Sequence, residues 1–259
     1  MKNFLQISVV LLSIFSVVSC QKETTKEAPE RSLIIIVKDY SASISQSKTE
    51  QEMEIQHLTH YLNQHLIENT DVMVMNINSH SDSRTNTTWF KFNAPKVQQA
   101  TRVQSESEKE LEQTFYLAKV RKTLKSTQKK IIEQMYGTTT SSNQTAIVEL
   151  LYPISEVLKN YNKVNVCIYS DLIQESDFTD FTKGEWPMSS KTYASNLAKT
   201  DFERLQKQGL EIDLIKVISI DVVTPNEPEN EKYYVTMPYY WDTLLKLGHY
   251  NGKINWQKL

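Results

Sequence analysis

Asp39, Ser41 and Ser43 stand at alternate positions directly after an apolar run, in LIIIVKDYSASIS, residues 33–45. In extended backbone, residues two apart point the same way. One carboxylate and two hydroxyls can therefore converge beyond the end of a strand. An oxygen-only set of this kind suits a hard divalent cation, since Mg²⁺ takes oxygen ligands in octahedral geometry and keeps some of its waters. The same ligand types accept Mn²⁺ or Ca²⁺. These oxygens fill half a coordination shell, so further ligands must come from elsewhere. Thr145, in SNQTAIVELL, and Asp171, ending VNVCIYSD, are the candidates, with Asn143 and Ser142 competing for the place of Thr145. The competing reading of Asp39-x-Ser41-x-Ser43 is a turn or helix cap closed by local hydrogen bonds.

Positioning such a set requires strands that end on one edge. Leu33–Lys38 is a continuous apolar run of the kind buried on both faces, and Asp71–Ile77 and Val164–Tyr169 read the same way. Thr87–Phe92 alternates and suits an edge strand. Ile212–Val223 and Lys253–Trp256 complete the strands. Helical segments are expected at Glu50–Ile67, 105–135 (one long helix or two broken near Ser126), Ala146–Leu158, Ala194–Gln208 and Tyr240–Leu247. Strands alternating with helices predict an α/β domain with a mostly parallel sheet between two helix layers. Right-handed crossovers put every strand's carboxyl end on one edge, where such sheets bind ligands. Asp39, Thr145 and Asp171 are all expected there.

Other chemistries find less support. The chain has 5 glycines among 259 residues, and none fits GxGxxG or a P-loop. With 29 basic and 31 acidic residues, the balance gives no nucleic-acid footprint and no polybasic membrane patch. His57 and His60 share a helix but lack a third ligand, so solvated or capping roles are expected for them. No GxSxG elbow is present. The loop QESDFTDFTKGEW carries Asp177 and Asp180, read as solvated, and Phe178, Phe181 and Trp186, read as anchors for the loop or as a recognition surface. Cys167 is read as a small buried apolar residue.

The ordered set Asp39-x-Ser41-x-Ser43, Thr145, Asp171 resembles the metal-ion-dependent adhesion site of von Willebrand factor A domains. IIIVKDYSAS is similar to that family's first strand and loop, TAIVELL to its threonine-led helix, and CIYSD to its fourth strand. The resemblance spans about residues 32–256 and implies a Rossmann-like, three-layer sheet with a divalent cation at its top edge. It implies that both serines bind the metal, and that the threonine and second aspartate bind it directly or through water. An acidic group of a protein partner would fill the open position. The family's usual glycines beside the threonine and after the second aspartate are missing here, and Leu172 follows Asp171.

The first 19 residues read as a secretory leader, with Lys2, an apolar run and small residues. Val17-Val18-Ser19-Cys20 resembles a bacterial lipobox, which makes Cys20 the expected lipidated first residue of the mature chain. Gln21-Lys22-Glu23 resembles signals for the outer membrane and for surface export. Residues 20–31 then form a polar tether, and 32–259 the folded domain. The expectation is a lipid-anchored envelope protein that binds a partner through a cation and catalyses nothing. A scaffold with an empty site is its first rival and a metal-assisted hydrolase its second.

Overall fold

The computed structural model describes residues 30–41, 47–78, 81, 86–92, 95, 105–137, 142–183, 190–225 and 232–259. The leader, Cys20 and Ser43 lie outside these. Six strands form one sheet: β1 (Ser32–Asp39), β2 (Thr70–Ile77), β3 (Thr87–Phe90), β4 (Lys163–Tyr169), β5 (Val217–Thr224) and β6 (Ile254–Lys258). Their order is β3-β2-β1-β4-β5-β6. Every pairing is parallel except β2 with β3, the short edge strand. The chain leaves β1 toward β2 on one side and later returns to β4 on the other. β1 is thus the centre of the sheet, and its carboxyl end lies at the switch point where ligands bind in such folds.

Alternation along the strands sorts the core into two layers. Leu33, Ile35 and Val37 face α3 (Leu151–Leu158), α4 (Lys191–Lys207) and α5 (Met237–Leu247). Ile34 and Ile36 face α1 (Lys48–His65) and α2 (Glu106–Tyr136). The result is the expected three-layer α/β arrangement. Capping boxes start the two long helices, Ser47 with Glu50 and Ser105 with Glu108. Each satisfies amides that a helix start leaves open. With no Gly or Pro inside it, α2 runs unbroken through Ser126.

Most elements shift by up to three residues from the sequence reading, and two starts differ for a definite physical reason. β5 begins at Val217 rather than Ile212, because the preceding backbone is engaged elsewhere. The amide of Asp213 donates to Ser155 Oγ (2.8 Å), and that of Leu214 donates to the Gly248 carbonyl (2.7 Å). Ile212 and Leu214 are buried apolar residues of a connection, not of a strand. The helix expected from Ala146 begins as a single 3₁₀ turn at Val148. His57 differs in role from the sequence reading. Half-buried on α1, it bridges the Tyr169 hydroxyl and Gln257 Oε1 at 3.0 Å each, so it ties α1 to β4 and β6 instead of facing solvent. His60 contacts Gln64.

The end of β1 carries a charge into the core. Lys38 is 4% exposed, and its Nζ donates to both oxygens of the fully buried Glu54 on α1, at 2.7 and 2.8 Å. Breaking one side of such a pair strands the other charge in a low-dielectric interior, at about 3–5 kcal/mol. Lys38→Met is therefore expected to destabilise the fold by that amount in denaturant titration. Lys38→Met with Glu54→Leu should recover most of the loss. Equal losses in the single and double variants would show that the stranded Glu54 charge is not the cause of the destabilisation.

Candidate functional site

The chain passes the carboxyl edge three times beside the end of β1, and hydrogen bonds join the three passes. Asp39, 1% exposed, closes β1. Its Oδ1 accepts from the Ser41 amide at 2.8 Å and its Oδ2 from Ser170 Oγ at 2.6 Å. The first bond turns the chain out of the sheet. The second ties β1 to the residue that follows β4. Ser41 forms a parallel bridge with Ser142, whose amide donates to the Tyr40 carbonyl at 3.1 Å. Thr145, 1% exposed, exchanges both backbone hydrogen bonds with Glu175 at 2.9 and 3.0 Å. That exchange is why no helix starts at Ala146.

Of the expected ligands, Asp39, Ser41, Thr145 and Asp171 are each at most 5% exposed and belong to these joined segments. Among the alternatives, Asn143 is exposed, and Ser142 Oγ donates to the Gln144 carbonyl at 3.0 Å. Thr145 is the buried hydroxyl of the three. Asp171 lies two residues past β4, and its Oδ1 accepts from the Ile173 amide at 3.0 Å.

Residues outside the motif hold this edge in shape. Ser170 Oγ donates to Asp39 and accepts from the Leu172 amide at 2.9 Å. Leu172 has φ 57°, the left-handed region that glycine enters freely and a leucine enters at a cost. It is held there by burial of its side chain and by Trp241 on α5, whose Nε1 donates to the Leu172 carbonyl at 3.1 Å. Gln174 is fully buried. Its Oε1 accepts from the amides of Ile147 and Val148 at 2.7 and 3.0 Å, and its amide nitrogen donates to Glu149 and Ser176. A side chain from the β4 loop thus caps the turn after Thr145. Phe181 is fully buried against Tyr240 and Trp241, so it anchors the loop, while Phe178 packs under the Arg204 guanidinium. Trp186 lies outside the described residues.

The electrostatics of this edge are those of a crowded anionic patch. Burial pushes the Asp39 carboxyl up, and the hydrogen bonds from Ser170 and Ser41, with the nearby Lys38 charge, offset only part of it. Burial also raises Glu175, as do the charges of Asp180 and Asp39, against a smaller pull from Lys183. Burial of Asp180 is outweighed by hydrogen bonds from Thr182 and Lys183 and by the Lys183 charge, so that carboxyl sits below its usual range. The two groups that hydrogen-bond Asp39 are neutral, and Lys38 is committed to Glu54. A buried carboxylate with neutral partners, among hydroxyls and other carboxylates, fits a cation. Asp39, Ser41, Thr145 and Asp171 would hold it. Among the described residues no three His, Cys, Asp or Glu side chains are grouped to bind a metal. Binding here would rest on hydroxyl donors.

No family model matches the chain, and no curated protein matches it either. Among solved structures, the VWA domain of SpRpn10 aligns over 89% of this chain and 88% of its own at 10% identity, with a TM-score of 0.36. The sheet order and the helix layers on its two faces define the architecture.

Sequence reading missed Ser170, Gln174 and Glu175. Ser170 alone carried a signal, as the residue between an apolar strand and Asp171. Gln174→Leu removes the acceptor of two buried amides, each costing about 1–3 kcal/mol when left unpaired. The variant is expected to melt roughly 5–15 °C lower. An unchanged melting temperature would mean the turn at Thr145 is held by other contacts.

Proposed function

We propose that this protein is a lipid-anchored component of a bacterial cell envelope, sorted to the outer membrane. It works as a binding module through a von Willebrand factor A-like cation site. Asp39, Ser41, Ser43, Thr145 and Asp171 hold Mg²⁺, with Mn²⁺ or Ca²⁺ as substitutes. The partner is a protein that offers an acidic group, and no reaction is catalysed. The lipid anchor rests on the Val17-Val18-Ser19-Cys20 motif.

One observation carries the reading of the site. Three segments far apart in sequence are joined at the carboxyl edge beside β1, and the carboxylate and hydroxyl residues at the join are nearly all buried. A carboxylate has about four lone-pair sites, so the hydrogen bonds to Asp39 from Ser170 and from the amide and side chain of Ser41 leave room for a metal. Hydroxyl ligands are neutral, so they leave most of the cation's charge uncancelled. Such a cation still attracts an external carboxylate.

A second reading has its own support. Both oxygens of Asp39 already accept hydrogen bonds, which is what a purely structural latch between β1 and β4 requires. In that case the domain is a scaffold and the cation is absent. Calorimetric titration of Mg²⁺ and Mn²⁺ into the chain from residue 24 separates the two, with Asp39→Ala and Thr145→Ala beside it. The cation reading expects one saturable site, abolished in Asp39→Ala and weakened about tenfold or more in Thr145→Ala. No heat in any of the three proteins, all folded by circular dichroism, gives the site to the latch.

A further inference from the structure

The 31 residues of α2 make it by far the longest helix, about 46 Å at ~1.5 Å per residue. Only Val120, Ile131 and Met135 are buried, so the first 14 residues, Glu106–Lys119, bury no side chain. In that half Leu111 is 56% exposed and Phe115 64%. At 3.6 residues per turn, Leu111, Phe115 and Ala118 share one stripe, on the side opposite Val120, Ile131 and Met135. Lys122, Lys125 and Lys129 continue that stripe.

The charges along the helix are divided. Glu106, Glu108, Glu110 and Glu112 lie in the first part, against Lys109 alone, and Lys119, Arg121, Lys122, Lys125, Lys129 and Lys130 in the second. Complementing the helix dipole would put cations in the last turn. The last turn holds none, and the cations start in mid-helix. Among the described residues Lys129 alone of these six forms an ion pair, with Glu133 at 3.6 Å.

We propose that this face of α2 binds the α2 of a second copy of the chain, antiparallel, with the two helices crossing at Phe115. Glu108 stands seven residues before Phe115 and Lys122 seven after it. Glu112 stands three before and Lys119 four after. An antiparallel crossing at Phe115 sets Glu108 and Glu112 of each copy beside Lys122 and Lys119 of the other. The two-fold axis repeats each contact. A parallel pair would set like charges together. Leu111, Phe115 and Ala118 supply the apolar centre. The seam spans few turns, so it belongs to the small, transient class of interfaces and depends on ionic strength.

Sedimentation velocity of the chain from residue 24, over about 1–100 µM, reads the association directly. The dimer is expected to populate as concentration rises, and its dissociation constant to weaken about tenfold or more in 1 M salt. Leu111→Lys with Phe115→Glu should remain monomeric at an unchanged melting temperature, since both residues are exposed. Orientation is read by oxidation, with Cys167 buried and out of reach. Phe115→Cys should form a disulfide-linked dimer, Lys122→Cys alone should not, and Glu108→Cys mixed with Lys122→Cys should. A monomer at every concentration overturns the proposal. So does self-linking of Lys122→Cys as readily as Phe115→Cys. Co-sedimentation of a monomer with phosphatidylglycerol vesicles, lost in the Leu111→Lys, Phe115→Glu variant, gives the face to a lipid surface and overturns it as well.

Discussion

The middle strand of this sheet ends in two adjacent opposite charges, and the architecture around them follows from that. β1 is buried on both faces from Leu33 to Val37, and Lys38 and Asp39 then point to opposite sides. Neither can be left alone in a dry interior, where an unpaired charge costs several kcal/mol. Lys38 is met by Glu54 from the helix layer on one side. Asp39 is met by neutral donors, the Ser41 amide and the Ser170 hydroxyl, from the loops on the other. The difference matters. The charge of Lys38 is balanced by a carboxylate partner, while Asp39 is met mainly by dipoles, with a smaller contribution from the Lys38 charge. On that side the charges of Asp180 and Asp39 add to burial in raising the Glu175 carboxyl, against a smaller pull from Lys183.

Glycine-rich loops reach tight turns through backbone freedom. This chain, with few glycines, uses side chains. Leu172 takes a left-handed conformation and is held by Trp241 and its own burial. Gln174 performs for the turn at Ile147–Val148 what a helix cap performs elsewhere. Polar groups distant in sequence hold the edge in shape. The same feature makes α5, through Trp241, a structural support of the β4 loop.

Much of the fold was legible because its strands are buried on both faces. The apolar runs of β1, β2 and β4 stop within a residue or two of where the sequence places their ends, and the edge character of β3 follows from its alternation. β5 was misjudged because Ile212 and Leu214 are apolar for packing reasons, while the amides of Asp213 and Leu214 serve a connection. The placement of Asp39, Ser41 and Asp171 at the carboxyl edge was legible from the ends of their strands, and that of Thr145 from the apolar segment it leads, both local signals. Ser170, Gln174 and Glu175 were not legible. Ser170 meets Asp39 across 131 positions, and Gln174 meets Ile147 across 27. Periodicity carries no trace of such pairs. A formal charge of −2 likewise conceals the divided charge of α2, since whole-chain sums average over a helix whose halves differ in sign.

A cation seated between the loop after β1, the Thr145 segment and the Asp171 loop distinguishes a binding module from a structural latch. Diffraction from crystals grown in Mn²⁺, with anomalous differences collected at the manganese edge, locates it. A single peak at bonding distance from oxygens of Ser41 and Thr145, about 2.0–2.2 Å as for hard divalent ions, is the expected result. A peak at Glu175 and Asp180 alone, or no peak at saturating Mn²⁺, would contradict it and leave Asp39 as a latch between two strands.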